Sequence, residues 1–497
     1  MPRFSAVFLV LLFGLSPLAN AQETHSHGAP ARLGRVSFPI SCQPAVQAEF
    51  DRGVALLHSF AYAPAESAFR RVAETDPRCA MAHWGIAMTH FHELWDPPLA
   101  PGSVQVGWRE IQAAQKIDGF SKRERGYIEA LSCIYQDAES QPYPVRVRNY
   151  MQAMGIVAAE NVTDPEAQIF YALALLAAAS PADKTHANQK HAADLLEPLF
   201  RAYPEHPGIP HYLIHAYDNA ELAPKGLTAA RAYSRIAPSA PHALHMPSHI
   251  FTRLGLWDDS IASNLAARAA ANKQSDTGEE LHAMDYLVYA YLQKGSDTEA
   301  AAVIEQLRAM PNLNTADPKI AYAATAMPVR YAIERRQWND ASAITPLAGA
   351  PPHIAAIAIW ARGFGLARTG HPAEAEAQAK QLQEIAAQLR KSGNDYWATQ
   401  TEILFGEVMA WSALARGDAA QSERRLREAA DQEDAVEKLP VTPGPIVPAR
   451  EQLGDLLLEQ GRPAEASKEF AAALANAPGR RGALRGAAQA GKLAAQK

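Results

Sequence analysis

The chain has 497 residues, of which 48% are hydrophobic and 20% charged, and its formal net charge is −6. That balance, with no Lys/Arg cluster, argues against a nucleic-acid footprint. No stretch reaches the roughly 18 uninterrupted apolar residues of a membrane-spanning helix. An ordinary globular chain of this length divides into several domains, whereas a repeat array, whose units pack only on their neighbours, does not.

In chain order, Arg3, the apolar run Ala6 to Leu15 and Ala19-Asn20-Ala21 form the pattern of a secretory signal peptide over residues 1–21, cleaved after Ala21. The mature chain is therefore expected to be exported, periplasmic or secreted. Residues 22–45, polar and containing His25 and His27, read as a flexible leader. From 46 to 436 helical periodicity dominates, with no sustained period-2 alternation that would call for strands. Pro97, Pro98 and Pro101 mark a loop, and Ser121-Lys122-Arg123-Glu124 is a capping box opening a helix. Residues 437–448, with four prolines, read as an extended link. Residues 449–497 supply a last hairpin and, from Arg480, a solvated capping helix.

One internal period organises the array. Gly53, Ala65, Phe69, Val72 and Pro77 recur at a single offset as Gly454, Ala466, Phe470, Ala473 and Pro478. They occupy positions 8, 20, 24, 27 and 32 of a 34-residue unit. Weaker copies lie between: Ala153 with Asp164-Pro165, and Leu287, Tyr291, Ala300, Ile304 and Leu307. Gly255-Leu256-Trp257 and Gly461-Arg462-Pro463 mark turns within hairpins. In this pattern the chain resembles the tetratricopeptide repeat (TPR) family, and with its N-terminal pattern it reads as an exported bacterial TPR-repeat protein. The resemblance implies an all-α, right-handed solenoid of nine to twelve helical hairpins. In it, small residues at positions 8 and 20 let the helices approach, the aromatic at 24 fills the gap between hairpins, and the proline at 32 stops the second helix.

Of the three cysteines, Cys42 precedes the first repeat and Cys79 follows its second helix. Antiparallel helices bring those ends together, so a Cys42–Cys79 disulfide is expected, in keeping with an oxidising compartment. Cys133 reads as a small buried residue.

Histidines carry the sharpest functional signal. His206, His211, His215, His242, His245 and His249 crowd one window, about 206–290, and His282 follows. With repeats begun at Pro210, Pro241 and Leu281, His211, His242 and His282 fall at position 2, His245 and Asp285 at 5, and His249 and Asp218 at 9. The TPR resemblance implies that such positions line a concave groove, with His215 close by and His58 and His92, both at position 13, further along it. Tyr212 orders the same helix face. Independently of the family, His211/His215 and His245/His249 are i, i+4 pairs, a two-ligand unit for Zn, Cu or Ni. Two such pairs on neighbouring helices would complete one tetrahedral site, with His242, His282, Asp218 and Asp285 as further ligands or supports. Met246 and Met284 would favour copper if turned inward. Pro247 opposes this reading, since it kinks or restarts the helix.

No HExxH, GxSxG, P-loop or dinucleotide fingerprint is present, so no catalytic residue is assigned. Glu221, Glu279 and Glu280 are the glutamates nearest the histidines and have no telling spacing. The sequence thus favours a non-enzymatic module that binds a protein or peptide in a His-lined groove. The alternative is a metal-binding protein, or a metal-dependent enzyme, built on the same histidines.

Overall fold

The computed structural model describes residues 31–92, 94 and 99–496. The expected signal peptide and its cleavage site, His25, His27, Trp95 and the Pro97-Pro98 pair lie outside the described residues. Among the described residues every regular element is helical. Eleven antiparallel hairpins follow one another, from Gln47–Leu57 with Tyr62–Thr75 to Ala449–Glu459 with Pro463–Asn476, and Arg481–Ala494 closes the array.

Packing follows the repeat signature. A Cβ added to Gly53 would lie 2.7 Å from the Phe69 ring, and one added to Gly454 would lie 2.7 Å from Phe470. The glycine at position 8 is therefore required by the aromatic at 24, which is fully buried in both repeats. Ser121 caps the Lys122–Tyr135 helix by accepting the Glu124 N–H, while Glu124 reaches back to the Ser121 N–H at 2.7 Å.

Three segments depart from expectation. First, the leader is not flexible from Arg32 onward. Phe38 is fully buried, its ring 5.0–5.5 Å from those of Phe50, Trp84 and Tyr127. Backbone N–H groups of Phe38, Ser41 and Gln43 donate to Asp51, Glu124 and Asp76, and that of Arg35 donates to the Glu205 carbonyl. An extended strap is thus held where one aromatic enters the core and carboxylates catch its amides. Cys42 at its end is joined to Cys79 by a disulfide.

Second, residues 437–448 are more than a link. The Glu437 N–H donates to the Pro181 carbonyl, the Leu439 N–H to the Tyr396 hydroxyl, and Tyr286 donates to the Pro440 carbonyl. Arg330 donates to Thr442 Oγ1 and to the carbonyls of Gly444 and Pro445. Tyr286, Arg330 and Tyr396 all belong to first helices of hairpins, so the proline-rich segment lies along the face those helices share. Third, the closing helix is preceded by Arg480, fully buried and paired with Glu334 and Glu451, and opens with Arg481, which pairs with Asp297. The end of the array is therefore tied to its middle rather than solvated at its start.

Candidate metal centre

The fifth, sixth and seventh hairpins open with the helices Gly208–Tyr217, Pro241–His245 continued by Pro247–Arg253, and Thr277–Lys294. Pro247 does break the central helix, yet Met246 keeps helical angles. His242, His245 and His249 therefore stay on one face at i, i+3 and i+7. With His211 and His215 before them and His282 after, six histidines converge from three consecutive first helices. Five are buried, and His215 is nearly so. They do not line an open groove.

They sort into two triads, and the sorting differs from the expected one. His211, His215 and His242 form one; His245, His249 and His282 form the other. In each, three ring nitrogens lie within 4.8 Å of one another. The i, i+4 pairs do not combine into a single four-histidine site; each gains its third histidine from the next helix. The triads adjoin, with the rings of His215 and His249 at 6.1 Å and those of His242 and His245 at 6.0 Å.

In four of the six rings hydrogen bonds fix which nitrogen carries the proton. His211 Nδ1 donates to the His58 carbonyl at 2.6 Å. His249 Nδ1 faces Asp218 Oδ2 at 2.9 Å, and His242 Nδ1 faces Glu279 Oε2 at 3.4 Å. Asn264 spends its NH2 on the Ser260 carbonyl, so its Oδ1 accepts from His245 Nδ1 at 2.6 Å. A backbone carbonyl, a carboxylate or such an amide oxygen can only accept, so each of these rings, when neutral, turns a bare Nε2 lone pair inward. Yet His245 Nε2 and His249 Nε2 stand 3.0 Å apart, and His211 Nε2 and His215 Nε2 3.1 Å apart.

For His245 and His249 this contact is not a hydrogen bond, because neither neutral nitrogen has a proton to give. Protonation does not resolve it. Burial pushes His245 well below the usual imidazole range, with His249 and His242 adding to the effect. His249 falls to about 4 through burial, against the pull of Asp218. His211, His215 and His282 are likewise driven well down, by burial first and by neighbouring histidines second. Convergent neutral lone pairs are what a cation needs. Two nitrogens bound tetrahedrally at 2.0–2.1 Å stand about 3.3 Å apart, close to both observed separations.

The outer partners match those of metal-bound histidines, whose second nitrogen is held by a carboxylate or carbonyl. Asp218 stands in that outer position and both its oxygens are engaged: Oδ2 also accepts from Lys438 at 2.7 Å, and Oδ1 from Arg253 at 2.9 Å. Burial alone would raise its pKa, but Lys438, Arg253 and His249 hold it well below the ordinary carboxylate range. Glu279 holds His242 and pairs with Lys319 at 2.6 Å. Asp285, expected as a ligand, is instead paired with Arg330 at 3.1 Å, both fully buried. Met246 and Met284 lie in apolar core clusters.

A third group, His58, Glu166 and His206, shows what a self-sufficient histidine cluster looks like. His58 Nε2 and His206 Nε2 each meet one Glu166 oxygen, at 3.0 and 2.9 Å. His58 Nδ1 meets the Tyr212 hydroxyl at 2.8 Å, and His206 Nδ1 accepts the Gly208 N–H at 3.2 Å. Every ring nitrogen there is satisfied without a cation. His58 and Tyr212 are therefore props beneath His211 rather than groove contacts. His92 is likewise engaged, stacked on Tyr62 with its Nε2 donating to the Thr89 carbonyl.

Phe60 was not foreseen. Its ring covers the first triad, 4.4 Å from the His211 ring and 5.4 Å from that of His242. Its backbone is left-handed at φ 52°, a conformation costing a non-glycine residue of order 1–3 kcal/mol. Asn264, on the second helix of its hairpin, and Lys438, some 220 residues from Asp218, carried no signal in sequence.

No protein-family model matches the chain, and no curated protein matches it in sequence. Among solved structures the chain is similar to the TPR domain of P58(IPK) (12% identity, TM-score 0.24, 91% of this chain and 99% of that one). It is also similar to the human IFIT1 dimer with m7Gppp-AAAA (12%, 0.33, 80% and 89%) and to Naa15/Naa10 bound to HypK-THB (12%, 0.21, 86% and 68%). These likenesses concern fold alone. The hairpin array and its glycine-8, aromatic-24 packing give the chain the fold of an all-α helical-repeat solenoid with TPR-like hairpins.

Proposed function

We propose that the protein carries a binuclear transition-metal centre, one ion in each histidine triad, for which the repeat array is the scaffold. The observation that carries this reading is the 3.0 Å approach of His245 Nε2 to His249 Nε2, with the protons of both rings pinned on the far side. Three histidines per ion leave a coordination position open, as in reactive rather than purely structural sites. An all-imidazole set suits copper, zinc and nickel. Charge favours copper. Two divalent ions would add four positive charges to a buried pocket whose nearest carboxylates, Asp218 and Glu279, are already paired with cations. Two Cu(I) ions add half as much. Within the triads there is no carboxylate to act as a general base, so the set suits redox or copper-holding chemistry better than hydrolysis.

A peptide groove is less well supported, because residues 437–448 occupy the face that the first helices share. Export is part of the proposal: it rests on the N-terminal pattern, and the Cys42–Cys79 disulfide is in keeping with it.

The test is elemental analysis of the chain from Gln22 onward, without a histidine tag, after reconstitution with Cu(I) or with zinc. Two copper ions are expected per chain, and one in each of the pairs His211→Ala/His215→Ala and His245→Ala/His249→Ala. Two zinc ions with no copper would overturn the charge argument but keep the centre. No retained metal under either condition would end the proposal.

A further inference from the structure

A cavity of about 580 Å³ lies beside the centre without including its histidines. That is the size of pockets that enclose small molecules. Its walls are flat rings: Tyr62 stacked on His92 at 4.2 Å, His353 stacked on Trp397 at 4.7 Å, and Tyr322 at 6.4 Å from Trp397. Among the described residues its charged lining residues are Lys319, paired with Glu279, and Asp317, which caps the Pro318–Glu334 helix, so neither is left to select a charged ligand.

Its polar edge is unsatisfied. Trp397 Nε1 is buried with no hydrogen-bond partner, whereas His90 Nε2 has Glu66 Oε1 at 3.6 Å. Trp397 itself is 8% exposed, as is His353. Burial drives His353 down to about 4, so it meets a ligand as a neutral ring with one donor and one acceptor nitrogen. Leaving such groups unpaired costs about 1–3 kcal/mol each. An indole N–H needs an acceptor and an imidazole nitrogen needs a donor, and a phenolic hydroxyl is both.

We propose that this cavity binds a neutral, planar, phenol-type molecule, its ring against the aromatic walls and its hydroxyl on the edge formed by Trp397 and His353. The site stands independently of the metal reading. It is nonetheless one aromatic layer from the centre: Tyr62 stacks on Phe60 at 5.5 Å, and Phe60 covers His211 and His242.

The test is calorimetric titration of the full exported chain, metal-stripped and metal-loaded, with p-cresol, toluene and cyclohexanol. Saturable one-to-one binding of p-cresol is expected in both states. Toluene, which lacks the hydroxyl, and cyclohexanol, which lacks the flat ring, should each bind at least about tenfold more weakly, the equivalent of one lost hydrogen bond or stacking contact. His353→Ala and Trp397→Phe should weaken p-cresol by a similar factor at unchanged helical circular dichroism. Either variant serves alone if the other fails to fold. No saturable p-cresol binding up to about 1 mM overturns the proposal, as does equal binding of all three probes. So does wild-type affinity in the folded variants.

Discussion

Asp285 separates the sequence expectation from the structural one. As a ligand its loss would strip metal; as the partner of Arg330 its loss would strip stability. In Asp285→Ala a fully buried guanidinium loses its carboxylate, a change that costs about 3–5 kcal/mol. Arg330 keeps acceptors at Thr442, Gly444 and Pro445, at 3.0–3.3 Å, which places the cost near the lower figure, about 3 kcal/mol. At about 2.1 cal/mol/K per residue over the Arg32–Lys497 unit, that is a fall in Tm of roughly 3 °C if the unit melts as one, and more if it melts in blocks. Calorimetry and elemental analysis on the same sample read both quantities. The expected result is a lower Tm with metal content unchanged. Metal loss at wild-type Tm would refute the assignment and return Asp285 to the ligand set.

The pH dependence of stability should carry a contribution from Glu407, 2% exposed, whose pKa burial and neighbouring Glu433 raise well above 4.5. The folded state then holds a proton that the unfolded state has released. This contribution is full below about pH 4.5 and shrinks as pH rises towards the folded pKa, by at most about 1.4 kcal/mol per unit. Urea titrations across that range should show a shallower slope for Glu407→Gln. Reduction of the Cys42–Cys79 bridge, or Cys79→Ser, should cost up to about 3–4 kcal/mol in the same assay, and an unchanged midpoint would argue against the bridge in solution. Gly53→Ala should cost about 1–3 kcal/mol, because the new methyl meets Phe69; a neutral effect would mean that the ring has room to move.

The fold was legible because spacing encodes it: the glycine, alanine and aromatic at positions 8, 20 and 24 make the contacts that let hairpins stack. The histidines were legible for a related reason, since i, i+4 pairs and repeat phase put them on first helices. Their division into two triads was not. It depends on the offset between successive hairpins, which brings His242 to the His211 pair and His282 to the His245 pair. Asp285 misled because position 5 faces inward but does not say what waits there, and Arg330 is a full hairpin away. Phe38 was hidden as a single aromatic in a polar stretch. The role of residues 437–448 was hidden because prolines announce an extended backbone and not its destination.

A linear repeat array normally frays, since its terminal unit touches one neighbour and stability is a sum of local terms. Here the strap reaches from Arg32 to Ser239, and Arg480 and Arg481 return from the far end to Glu334 and Asp297. Both ends are anchored on interior hairpins, so neither can peel away without breaking long-range contacts. Unfolding then becomes a closed-loop problem, in which the first step is internal and costly. Such an array would resist proteolysis from its termini and hold its three central helices in a fixed rotational relation.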